Sequence, residues 1–463
     1  MNREQGTNRT VFQSIPKWIS GPLLVAVLLA VVLSLGGYLR ATGLSWGEYQ
    51  YLHPDERFLV WVGSDITPIK SIDQVSGEKV WISLSEYFDT ANSPLNPNNR
   101  GHGFYVYGTL TLFLARYAVE FLYGHSGFDP MTDVGRALSA AADLTIVLLV
   151  FLVAARLYNK KVGLLAAAFS AVVVLQIQQS HFFTMDNFVN LFSFLAFYIA
   201  IRIQTDRRSW NLPSSTGQES LETDRGSLDL NHSEDSAEGD KPLRFLSHPL
   251  LLPSIAFGIA FGMAMASKLN AAPVALLLPA AILLRLSAVN KKDRYAYLVD
   301  SIKYLVIAGG VSFLTFRILQ PYAFSGPGFF GISLNPSWIA QVREQRGQAS
   351  IFVDFPPAMQ WARRTIFFSA KNLTIWGLGL PLGILSWIGF GWVGLQVLKG
   401  KWRIHLLIWS WTAAYFIWQS LGINPTMRYQ LPIYPTLVIF AAWAVVELYR
   451  TGKEKARTSG NPS

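Results

Sequence analysis

Four short stretches carry the residue types that could do chemistry. Tyr51-Leu52-His53-Pro54-Asp55-Glu56-Arg57 sets two adjacent carboxylates beside an imidazole, just after the first hydrophobic run. Asp186 lies in Gln178-Gln179-Ser180-His181-Phe182-Phe183-Thr184-Met185-Asp186-Asn187, with His181 five residues before it. Lys268 sits in Ala266-Ser267-Lys268-Leu269-Asn270, and Arg428 precedes Tyr429-Gln430-Leu431-Pro432. An ionised carboxylate within reach of a hydroxyl can act as a general base. Cations held at membrane depth can neutralise a phosphate.

Each stretch also has a purely local explanation. Proline is favoured at the first position of a helix and carboxylates in its first turn, so Pro54-Asp55-Glu56 reads equally as a helix start. Thr184 or Asp186 could cap the helix that follows. Lys268 and Arg428 at helix ends could snorkel toward headgroups. The reason to read them together is that topology places all of them on one face.

The topology follows from composition and charge. Of 463 residues, 51% are hydrophobic and 15% charged, with a mean hydropathy of +0.29. Soluble chains carry about a quarter charged residues, so this is an all-α polytopic membrane protein. There is no cysteine, which excludes disulfides, a thiolate nucleophile and iron–sulfur clusters. The net charge of +10 reflects Lys and Arg between hydrophobic runs, so it speaks for orientation rather than for nucleic acid. Residues 20–39 match the roughly 20 needed to cross the hydrocarbon core. Further spans read at 138–155, 163–179, 187–203, 250–267, 271–287, 302–319, 375–397, 404–421 and 432–449.

The apolar stretch 104–123 would be an eleventh span, but it carries Arg116 and Glu120 one turn apart. If it lies at the interface, Arg156/Lys160/Lys161, Arg202/Arg207/Arg208, Lys291/Lys292/Arg294, Lys399/Lys401/Arg403 and Lys453/Lys455/Arg457 all share the side of the basic N-terminus. About ten spans with both termini cytoplasmic therefore result. On this reading 1–19 and 451–463 are cytoplasmic, and 20–203, 248–319 and 375–450 form the membrane body. Residues 40–137 and 320–374 are extracytoplasmic, rich in aromatics and Pro, and predicted to form juxtamembrane helices. Residues 204–247, poor in large apolar side chains, are predicted to be a disordered cytoplasmic loop.

The first span followed by an acidic pair, the aromatic interfacial region, Gly135-Arg136-Ala137-Leu138-Ser139 opening the second span and Ala154-Ala155-Arg156-Leu157-Tyr158 closing it resemble the GT-C glycosyltransferases. The branch it looks most like contains the protein O-mannosyltransferases and aminoarabinose lipid A transferases (glycosyltransferase family 39). The resemblance runs from about 20 to 450. It implies transfer of a sugar, with inversion, from a polyprenyl-phosphate carrier to an acceptor hydroxyl outside the cell membrane. It further implies Asp55 as the catalytic carboxylate with Glu56 beside it, Asp186 as a second acid, and Lys268, Arg428 and Tyr429 at the carrier phosphate. No soluble domain follows the last span, which leaves the acceptor, whether lipid, glycan or protein, open. With a phosphate as leaving group no general acid is needed if cations hold its charge. A divalent metal on the acids with His53 or His181 could assist, but the spacing matches no dedicated ligand motif, and none is required. The competing class is a transporter of an anionic or lipid-linked substrate.

Overall fold

The computed structural model describes residues 21–206, 248–348, 359–361 and 363–459. The segments predicted as the cytoplasmic N-terminus and, for the most part, as the disordered loop 204–247 lie outside them. The described residues are mostly helical, and seven of the helices are long and apolar enough to cross a membrane.

Helix α1 (Pro22–Ala41) starts on a proline at its first turn and runs through the first predicted span. α2 (Pro54–Asp65) carries the acidic pair in its first turn. A short antiparallel hairpin, β1 (Ile69–Ile72) with β2 (Lys79–Trp81), and one helical turn, α3 (Leu84–Tyr87), follow. The alternation of this hairpin is too brief to stand out from the sequence. α4 (Thr109–Tyr123) occupies the ambiguous stretch. Its 15 residues extend about 22 Å at 1.5 Å each, short of the roughly 30 Å hydrocarbon core. Its charged pair turns inward. Arg116 Nη1 lies 2.7 Å from Glu120 Oε2, Arg116 Nε donates to Ile66 O at 2.9 Å, and Lys79 also pairs with Glu120. Phe121 and Leu122 stay exposed on the other side.

α5 (Phe128–Leu157) begins ten residues before the predicted span, so a helical extension stands where loop was expected. The predicted span 163–179 is broken into α6 (Lys160–Ala171) and α7 (Val174–Ser180), bent by 58°. A break inside a helix strands carbonyl groups, which must find donors where water is scarce. Arg40, at the end of α1 and 1% exposed, supplies them, donating to Ala171 O at 3.0 Å and Ser170 O at 3.3 Å. Its charge is met by Asp143 of α5 at 2.7 Å, whose second oxygen accepts from Gln176 Nε2 at 3.1 Å.

α8 (Met185–Gln204), α9 (Leu251–Ser267), a 3-10 segment Leu269–Leu276 running into α10 (Leu277–Leu286), and α11 (Arg294–Leu319) continue the bundle. α12 (Pro336–Gln348) and α13 (Phe368–Asn372) belong to the second large loop. α14 (Leu380–Gln396) and α15 (Trp402–Leu421) pass as one 42-residue apolar stretch but are separated at Gly400, whose φ is 88°. The 3-10 turn Met427–Ile433 leads into α16 (Tyr434–Ser459). Counting α14 and α15 separately, the bent pair as one, and the 17-residue α9, the described residues accommodate the ten predicted spans.

α5, α6, α8 and α16 make the buried centre, with α9 packed on α8 and α11 and α14 on α16. The two large loops lock into each other. Tyr322 Oη and Ser93 Oγ are 2.7 Å apart, Thr90 Oγ1 donates to Phe324 O at 2.7 Å, and Tyr105 N–H donates to Gln341 Oε1 at 2.9 Å.

Candidate active site

The local sequence at 54–56 starts a helix as its residue types suggested, with Asp55 and Glu56 in the first turn. His53 is the N-cap of α2, its Nδ1 accepting from Glu56 N–H at 3.3 Å, and Pro54 is the first helical residue. Accepting that bond requires an unprotonated Nδ1. Burial, the largest influence, pushes the His53 imidazole below its ordinary value, although Asp55 opposes it.

The neighbouring carboxylates then part company. Glu56 is fully buried and points into the protein. Arg136, 2% exposed, grips it in a fork, Nε to Oε1 at 2.7 Å and Nη2 to Oε2 at 2.8 Å. Phe183 N–H adds a third bond at 2.9 Å. Arg136 also donates to Leu44 O at 2.6 Å and Trp46 O at 3.1 Å, with its guanidinium 4.8 Å from the Trp46 ring centre. Gly135 makes this possible, because a Cβ there would stand 2.2 Å from the Phe183 ring. A single knot thus fixes the start of α2 to α5 and to the turn before α8.

Asp55 faces the other way and is partly open, its side chain 24% exposed. It is ion-paired with Arg428. Asp186, in the first turn of α8, does not cap that helix, and Thr184, the N-cap residue, makes no side-chain capping bond either. Instead Asp186 Oδ1 meets Lys268 Nζ at 2.7 Å, and its Oδ2 lies 3.9 Å from Arg428 Nε. Lys268 follows the last residue of α9, and Arg428 lies in the 3-10 turn before α16. The Tyr429 ring lies beneath both cations, 4.7 Å from Lys268 Nζ and 5.6 Å from Arg428 Cζ. Two acids and two cations from four distant segments therefore form one cluster, mouthed by partly exposed groups.

Of the residues singled out in the sequence, Asp55, Asp186, Lys268, Arg428 and Tyr429 come together, with His53 at the rim. Glu56 adjoins them but is turned away and fully engaged. His181 is also directed elsewhere, its Nδ1 2.7 Å from Ile177 O and its Nε2 2.8 Å from Thr42 O. Among the described residues no three His, Asp or Glu side chains are grouped as a metal ion would need. Arg136 is the residue whose role the sequence reading left out, and the argument that flagged Lys268 and Arg428 as cations on the acid-bearing face applies to it equally.

The architecture and the cluster define a polytopic membrane protein with paired carboxylates and cations gathered at its helix ends. Comparison with known proteins shows what the chain is similar to. Residues 126–215 match the family described as dolichyl-phosphate-mannose-protein mannosyltransferase. No curated protein matches the sequence as a whole. The oligosaccharyltransferase of Archaeoglobus fulgidus tethered to an acceptor peptide matches with a TM-score of 0.57 at 13% identity, over 94% of this chain and 50% of that one. AglB of the same organism, in complex with an inhibitory peptide and a dolichol-phosphate, matches with 0.54 at 15% identity, over 96% and 53%. ArnT from Cupriavidus metallidurans bound to undecaprenyl phosphate gives 0.46 at 15% identity, over 94% and 61%. The chain spans about half the length of the archaeal structures. Its fold is that of these archaeal oligosaccharyltransferase structures.

Proposed function

We propose that this protein is a membrane-embedded inverting glycosyltransferase that moves a sugar from a polyprenyl-phosphate carrier to an acceptor hydroxyl on the extracytoplasmic side. The observation that carries the reading is the convergence of Asp55, Asp186, Lys268 and Arg428 at the ends of otherwise apolar helices. The GT-C fold and the dolichol-phosphate bound to AglB support it.

The acceptor oxygen attacks the anomeric carbon while the bond from that carbon to the phosphate oxygen breaks. The electron pair leaves with the phosphate, and the acceptor proton passes to a carboxylate. Asp55 takes the base role, since it is partly open whereas Glu56 has no free face. Glu56 acts through position, fixing the turn on which Asp55 stands. Lys268 and Arg428 neutralise the charge that grows on the leaving phosphate, with Tyr429 holding both. Asp186 holds Lys268 in place. In this scheme no divalent ion is required, and a chelator leaves turnover unchanged.

The transporter alternative places charge along a path near the midplane. Here the partly open charges sit at the first turn of α2, just past α9 and in the turn before α16. The described acid that lies well inside an apolar span, Asp143, is closed off by Arg40 and Gln176. The test is to incubate the purified protein with polyprenyl-phosphate sugars and an acceptor extract and to follow release of polyprenyl phosphate. Steady release supports the reading. No release from any sugar carrier, alongside uptake of such a lipid or an anion into proteoliposomes, contradicts it.

A further inference from the structure

The strap between the first large loop and α4 carries a group that the mechanism above leaves unused. Its two ends are pinned. Tyr105 N–H donates to Gln341 Oε1 at 2.9 Å, and the Tyr105 hydroxyl donates to Gly108 O at 3.2 Å. Gly108 N–H donates to Ser267 O at 3.0 Å, immediately before Lys268. The approach is so close that a Cβ on Gly108 would stand 1.9 Å from Ala266 O, so only glycine fits. Thr109 N–H and Oγ1 both donate to Gln320 Oε1, at 2.5 and 2.7 Å.

Between these anchors stands Tyr107. Its ring centre is 6.0 Å from that of Phe58, which is one turn beyond Asp55 on α2, and 6.1 Å from that of Tyr105. The next residue of the strap is bonded to the residue before Lys268. Tyr107 therefore stands beside the cluster, and Asp55, Arg428, Asp186 and Tyr429 are the charged and titratable groups that act on its hydroxyl. That hydroxyl has no hydrogen-bond partner among the described residues, whereas the hydroxyls of its neighbours Tyr105 and Thr109 are both engaged. Burial first, and Asp55 next, push the phenol above its ordinary value, so it keeps its proton. A phenol O–H that cannot ionise is a hydrogen-bond donor on call for an anion.

We propose that Tyr107 is a positioning residue for the sugar donor, its O–H donating to a phosphate oxygen of the carrier and turning the anomeric carbon toward Asp55. It supplies a neutral, directional donor beside the two cations, whose main contribution is to neutralise charge. The pinned strap matters for the same reason. A donor already in place costs no reorganisation when the phosphate gains charge. This inference rests on the function proposed above.

Tyr107→Phe keeps the ring against Phe58 and Tyr105 and removes only the O–H. A hydrogen bond to a charged group is worth about 1.5–3 kcal/mol, so the single-turnover rate at saturating donor should fall about 10- to 100-fold. Affinity for polyprenyl phosphate should fall with it, and the unfolding midpoint should not move. A rate within twofold of the unsubstituted protein overturns the proposal. So does a rate loss that comes with a lowered midpoint and unchanged affinity for polyprenyl phosphate, because the phenol is then a strut. If the unsubstituted protein itself releases no polyprenyl phosphate, it is the glycosyltransferase reading that fails. If it does and Tyr107→Phe matches it, only this assignment fails.

Discussion

Replacing Arg136 by Met tests the knot that holds α2, and its cost can be worked from the contacts. The substitution removes both charge-assisted bonds to Glu56, at 2.7 and 2.8 Å, and leaves a fully buried carboxylate with only the Phe183 N–H. Breaking a buried pair by deleting one partner costs about 3–5 kcal/mol. The freed carbonyls of Leu44 and Trp46 add less, because both residues are half-buried and within reach of water. The stranded carboxylate decides the outcome. Glu56→Met should cost a similar amount by stranding the guanidinium. Replacing the whole pair by Met is expected to be near neutral, since buried ion pairs often exchange for apolar groups at little cost. Denaturation of the purified protein in detergent micelles, run as a double-mutant cycle, should give a coupling energy of at least about 2 kcal/mol. Turnover should fall in both single variants, because the first turn of α2 carries Asp55. Single variants that each lose less than about 0.5 kcal/mol, or losses that simply add in the double variant, would refute the reasoning.

Three further outcomes are expected. The folded protein holds His53 neutral, so its contribution to stability is complete above the ordinary imidazole value of 6.5 and is lost as pH falls below that, toward its own lowered value. Asn at this position can cap without titrating, so a pH series of unfolding midpoints should lose that acid-side component in His53→Asn and stay unchanged at pH 8. Lys268→Met and Arg428→Met keep apolar stems but remove charge, so both should weaken donor binding and slow single turnover by more than about tenfold, whereas unchanged values would point to ordinary headgroup anchoring. Cysteines placed at Ser76 and Ser227, in a chain with none of its own, should label with an impermeant reagent in intact cells at the first position only.

Length and apolarity made the helices legible, and the helix within 104–123 is 15 residues long. What the sequence did not reveal was the break at 172–173 and its repair. Arg40 and Asp143 are single charges separated by 103 positions, and nothing local says that one satisfies carbonyls exposed by a bend in a third helix. The split between Asp55 and Glu56 was equally hidden. Adjacent residues on a helix start differ by about 100° in direction, and which of them faces the open side depends on Arg136 and Phe183, both distant in sequence. Asp186 shows the reverse. Its type and position suited a cap, and only the tertiary partner Lys268, 82 residues on, reveals the alternative. Tyr107 carried no signal at all, being one aromatic residue in a segment full of them.

The central claim is that Asp55 removes the acceptor proton while Arg428 receives the phosphate. These two side chains pair with each other, so a carrier phosphate bound at Arg428 competes with the carboxylate for the guanidinium. Asp55→Asn removes the base and the competitor together. The most direct measurement is therefore made on this one variant, with donor affinity and the rate of polyprenyl phosphate release determined side by side. The account predicts release slowed by at least about a hundredfold and donor bound at least as tightly as by the unsubstituted protein. Release at the normal rate, or a loss traced wholly to weaker donor binding, would contradict it.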